Sequence, residues 1–235
     1  MGADTKIEWA DHTWSPWVGC TKVSPACDNC YAESWAKRAG SPELWQGQRR
    51  RTSADYWQRP RKWNRQAEKE GTRFRVFPSL CDPFDNQAAN RTRDDMWHLI
   101  EQTPQLIWLL LTKRPQNIAR MLPGSNTGTK PWGAGWPNVW FGTTVENQTE
   151  MLRRGSALRA VPAVRHFWSA EPLLGDLGTI SPEIMPNWII AGGDERPEGA
   201  AITPRLVPPP ARPVPGRRRA VLLQTARHLD RGRSI

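Results

Sequence analysis

Gln105–Pro115, QLIWLLLTKRP, is an apolar run that stops abruptly at Thr112, Lys113, Arg114 and Pro115. The unbroken stretch Ile107–Leu111 reads as a parallel strand covered on both faces, because a strand with one wet face alternates apolar and polar residues. Outward from it the same unit recurs: FRVFPSLCDPF from Phe74, NVWFGTTVENQ from Asn138, RHFWSAEPLLG from Arg165 and NWIIAGGDE from Asn187. RDDMWHLIEQ and ENQTEMLRRGSAL lie between these units and carry helical spacing. Strands alternating with helices give parallel βαβ units. With the N-terminal segment as a first strand, the expectation is an α/β partial (β/α) barrel of about six parallel strands.

In such folds the chemistry sits on the loops that follow the carboxyl ends of the strands. Asp82, Thr112, Lys113, Arg114, Thr144, Glu146, Asn147, Ser169, Glu171, Gly192 and Gly193 all fall there. A shared site at that end is therefore expected. Trp108, Trp140, Trp168 and Trp188 lie within strands and read as core.

Three of the four cysteines cluster in GCTKVSPACDNCYAE, Gly19–Glu33. The segment from Cys27 to Gly40 reads as a helix capped by Asp28 and ended by Gly40, with Cys27 and Cys30 in its first turn. The chain starts with neither a basic region followed by an apolar stretch nor a long apolar run, so the expected location is the cytoplasm, with no membrane association. Disulfides are rare there, which makes Cys20, Cys27 and Cys30 candidate metal ligands or reactive thiols. Three thiolates suit a [4Fe-4S] cluster with one iron left open, whereas cysteine-only ferredoxin clusters use four. The alternative is zinc, with Cys81 or His12 as a fourth ligand. Cys81 alone, at an apolar strand end, reads as a small core residue.

Residues 41–72 are polar, basic and rich in Trp, and read as an insertion of loops and short helix. Arg beside Trp suggests nucleic acid, and the alternative is that the Trp side chains dock on the core. A net charge of +10 over 235 residues points the same way, but residues 194–235 hold nine Arg against four acidic residues and so carry half of it. A zinc-stabilised nucleic-acid-binding module without catalysis is thus the rival to an iron–sulfur protein.

KIEWADHTWSPWVGCTKVSPACDNCYAE from Lys6, LTKRP from Leu111, NVWFGTTVENQ, SAEPLLG from Ser169 and WIIAGG from Trp188 together resemble the phage-associated three-Cys-motif proteins, a radical-SAM-like family. The resemblance implies a partial barrel over residues 1–193, a [4Fe-4S] cluster on Cys20, Cys27 and Cys30, and S-adenosylmethionine at the open iron. It also implies radical chemistry on a substrate that the sequence does not name, and a methyltransferase-like three-Cys-motif partner protein. On that reading Glu146 and Asn147 face the ribose and Lys113 or Arg114 pairs with the carboxylate. Thr144 and Glu171 line the site, and the Gly192–Gly193 backbone approaches the cofactor.

The family continues past WIIAGG differently from this chain. From Asp194 onward the sequence is rich in Pro and Arg, which excludes a central strand or a long helix. Residues 194–235 read as a disordered basic extension or as out-of-frame translation. In the second case the chain lacks its closing helix and strand, the edge of the sheet is exposed, and the protein is inactive.

Overall fold

The computed structural model describes residue 5 and residues 7–124, 127–192 and 222–225. In chain order β1 (His12–Thr13), β2 (Trp17–Val18), α1 (Tyr31–Arg38), β3 (Arg50–Arg51), α2 (Ala54–Glu70) and β4 (Phe74–Phe77) come first. After them run α3 (Asn90–Glu101), β5 (Leu106–Thr112), β6 (Val139–Thr144), α4 (Gln148–Arg159), β7 (Arg165–Ala170), β8 (Trp188–Ala191) and β9 (Leu222–Thr225). One sheet has the order β1-β4-β5-β6-β7-β8-β9, with every neighbour parallel. Its first six strands form the half-barrel expected from the sequence. β2 and β3 make a separate antiparallel pair.

Alternation along the strands divides the apolar residues into two layers. Trp108, Leu110, Val139, Phe141, Trp168 and Ile189 face the helices and share one core with Met96, Trp97, Met151 and Leu158. Leu109, Phe167, Trp188 and Ile190 face inward and pack with Trp9 and Phe77. Gly142 is paired with Leu111 on one side and Phe167 on the other. The Phe167 ring fills the place a side chain at 142 would take.

Three local expectations are corrected. The helix after the cysteines begins at Tyr31, so Cys27 ends a 3-10 turn, Pro25–Cys27, and Cys30 is the extended N-cap. Pro25 starts that turn and Asp28 closes it, which delays the α-helix by two residues relative to an Asp28 cap. The basic insertion is not merely loop and short helix, because α2 runs 17 residues within it, from the Ser53 cap to Gly71 at φ 65°. Pro60 lies inside α2 and has no N–H to give to the Tyr56 carbonyl; the indole Nε1 of Trp14 donates to that oxygen instead, at 3.1 Å. Trp45, Trp57 and Trp63 are buried, so the insertion offers no exposed Trp for base stacking. Finally, Leu222–Thr225 in the tail form β9 and cover the edge of β8 that the out-of-frame reading leaves exposed. The other tail residues, and Gly193, lie outside the described residues.

Candidate cofactor site at the carboxyl end of the sheet

The cysteine loop reaches the carboxyl end of β4 through a parallel bridge between Gly19 and Cys81. Gly19 sits at φ 127°, and a Cβ there would strike the carbonyls of Leu44 and Gln48. The Leu44 carbonyl accepts the Cys20 N–H at 3.1 Å. Cys20 and Cys30 then pack against the same small apolar cluster of Val18, Ala32, Ala36, Leu44, Trp45 and Leu80. All four cysteines are free thiols.

Two Asp–Arg pairs hold the start of this loop. Arg114 donates through Nη1 to Asp82 at 2.9 Å and to Cys20 Sγ at 3.6 Å, and through Nη2 to the Thr21 carbonyl at 2.7 Å. Arg49 donates through Nη2 to Thr21 Oγ1 at 2.7 Å and through Nε to Asp85 Oδ2 at 2.7 Å. Asp82 is itself fixed by Thr112 Oγ1 at 2.6 Å and by the N–H groups of Phe84 and Lys113. Burial, with the Asp82 carboxylate nearby, pushes the Cys20 thiol up to about 11, against a smaller opposing pull from Arg114. Burial, chiefly, also holds the Cys81 thiol well above its ordinary range. Burial alone would lower Arg114, but Asp82 and Cys20 outweigh it and keep the guanidinium charged.

Across the sheet the register continues the site. Thr144 is paired with Ser169, and Ser169 with Ile190, so their side chains share the inner face. Lys113 follows Leu111 in the same alternation and is half-buried. Thr144 is buried and its Oγ1 has no hydrogen-bond partner among the described residues. Glu146 is completely buried and accepts from Arg154 Nη1 at 2.6 Å, while its Oε1 has no partner among the described residues. Arg154, also completely buried, donates to the Thr144 carbonyl at 3.0 Å and faces Glu150 Oε2 at 2.8 Å; its Nη2 has no partner among the described residues. Asn147 caps α4 by accepting from Glu150 N at 3.0 Å. Glu171 lies over Gly192, so closely that a Cβ at 192 would collide with its carboxylate.

The expected residues therefore divide between two places. Arg114 joins the cysteine loop, whereas Lys113, Thr144, Glu171 and Gly192 line the inner end of β5 to β8, with Glu146 and Asn147 at the start of α4. His12 takes no part: it stacks on Trp63 with centroids 4.3 Å apart, on the helix side of β1. Arg154, Arg49 and Asp85 were not expected, because an Arg within a helix, or beside two others, reads as surface. A [4Fe-4S] cluster suits the donor set in kind, since free thiols at both ends of one loop rest on one apolar seat. Among the described residues no three His, Cys, Asp or Glu side chains are gathered into a metal group, so holding a cluster requires the loop to close around it. No described helix is long and apolar enough to cross a membrane.

Residues 4–206 match the family described as "Protein of unknown function (DUF5131)", and the chain belongs to that family. No curated protein matches it, and no solved structure does.

Proposed function

We propose that this is a protein of the phage-associated three-Cys-motif type, in which Cys20, Cys27 and Cys30 hold a [4Fe-4S] cluster and S-adenosylmethionine lies across the inner end of the sheet. The observation that supports it best is the seat shared by Cys20 and Cys30, beside an arginine that donates to the Cys20 sulfur. When bound, the cluster supplies the electron for reductive cleavage of the cofactor's sulfonium. The chain's own residues bind and orient. Arg114 fixes Cys20 and offers its sulfur an N–H, and Lys113 meets a carboxylate on the inner face. Thr144 Oγ1 and Glu146 Oε1 accept from ribose hydroxyls, which accounts for two buried polar atoms otherwise unmatched. Asn147 acts through its cap, by holding α4 and thus Arg154 in place. Glu171 and Gly192 shape the wall. Activity on a substrate delivered with a methyltransferase-like three-Cys-motif partner completes the proposal.

Zinc is the less favoured occupant, because His12 is turned to the helix side and a fourth ligand would have to come from Cys81. Anaerobic reconstitution with iron and sulfide tests the reading. The expected product is a brown protein with about four irons per chain, lost in each of Cys20→Ala, Cys27→Ala and Cys30→Ala and kept in Cys81→Ala. One zinc per chain, or bleaching by Cys81→Ala, overturns it.

A further inference from the structure

Residues 49–73 contain nine Arg and Lys against three acidic residues, a local excess of +6, which exceeds the +5 of residues 1–193 taken together. The rest of that region is close to neutral. The fold gives this excess a direction. The buried face of α2 consists of Tyr56, Trp57, Pro60, Trp63 and Ala67. At 100° per residue, Lys62, Arg65 and Lys69 fall on the opposite crest, and all three are exposed. None of them forms an ion pair or side-chain hydrogen bond with another described residue. Arg59, also exposed, flanks the crest, and Arg50 stands exposed on β3 just before the helix. Cations three and four residues apart destabilise a helix by a few tenths of a kcal/mol per pair. Here three stand in line over about 10 Å, at 1.5 Å of rise per residue.

We infer that this crest of α2 docks the phosphate backbone of double-stranded nucleic acid. A duplex presents about one charge per 1.7 Å of axis, twice the density of one strand, and suits a row of cations without aromatic neighbours. The buried Trp side chains of the insertion leave no stacking platform, so the contact is to phosphate and carries no base preference. The inference is independent of the cofactor reading, since α2 takes no part in holding the cysteines.

The experiment is fluorescence anisotropy of the full chain with a labelled 20-base-pair duplex of random sequence, at a series of salt concentrations. Three to four phosphate contacts give a slope of log K against log salt of about −3. Lys62→Glu, Arg65→Glu and Lys69→Glu combined should weaken binding at least tenfold at low salt, with the circular dichroism spectrum unchanged. Lys62→Gln, Arg65→Gln and Lys69→Gln combined should lie between, which keeps the test open if charge reversal unfolds α2. Unchanged affinity in both variants places any binding elsewhere on the chain and overturns the inference. So does absence of binding at low salt, or equal affinity for a single strand. Competition by polyaspartate as effective as by duplex at equal charge overturns nucleic acid in favour of an acidic protein.

Discussion

On the cysteine side of the sheet Asp82 accepts four hydrogen bonds, from Phe84 N, Thr112 Oγ1, Lys113 N and Arg114 Nη1. On the far side the Glu146 carboxylate accepts from Arg154 through Oε2, and Glu146 Oε1, Arg154 Nη2 and Thr144 Oγ1 have no partner among the described residues. Both sites bury a carboxylate against a guanidinium, yet only the first satisfies its carboxylate. An unmatched buried polar group costs about 1–3 kcal/mol. Three such groups leave the far side with open valences that a polar ligand would match, while the near side is scaffold for the loop. A buried pair whose remaining valences are met is hard to disturb; one with open valences is poised to bind.

Breaking the scaffold should have the largest effect. Asp82→Ala strands the Arg114 guanidinium that holds the Thr21 carbonyl, and should destabilise the chain by about 3–5 kcal/mol in urea unfolding. Faster amide exchange over residues 20–30 should accompany it. Glu146→Ala should cost less, about 2–3 kcal/mol, because Arg154 keeps Glu150 and the Thr144 carbonyl. A larger loss for Glu146→Ala than for Asp82→Ala would reverse the contrast drawn between the two sides.

Thr144→Val removes a buried hydroxyl and keeps its shape. Thermal unfolding should shift upward by the equivalent of no more than about 1 kcal/mol, while S-adenosylmethionine binding to the reconstituted protein, followed by equilibrium dialysis, weakens about tenfold. A clear loss of stability would mean the hydroxyl is already matched. The smallest effect concerns Tyr56, whose phenol burial pushes up to about 12. A phenol held above its unfolded value of about 10 adds stability below that pH, and the contribution disappears as pH rises from about 10 through about 12. In a Tyr31→Phe background, absorbance at 295 nm should show this single phenol ionising together with unfolding.

The strands and the two helices α3 and α4 were legible because their periodicity is local: Ile107–Leu111, or Met96 with Leu99 and Ile100, announce themselves within one window. α2 was hidden although Tyr56, Trp57, Pro60, Trp63 and Ala67 have helical spacing, since a proline and a dense charge run argue against a helix. Only the Trp14 indole, over 40 residues away, makes Pro60 tolerable there. The pairing of Trp17 and Val18 with Arg51 and Arg50 is equally non-local. In the site, Lys113, Thr144 and Glu171 were marked by their place after strands. Arg154 was not, because nothing near it in sequence says that its turn of α4 is buried over Glu146.

The Phe167 ring seated against Gly142 has a kinetic meaning. With Trp9, Phe77, Leu109 and Trp188 it closes the inner face below Thr144, so molecules reach the site from the carboxyl end of the strands. Whatever binds deepest must arrive first and leave last. A second molecule seated above a first would slow its escape without competing for its contacts.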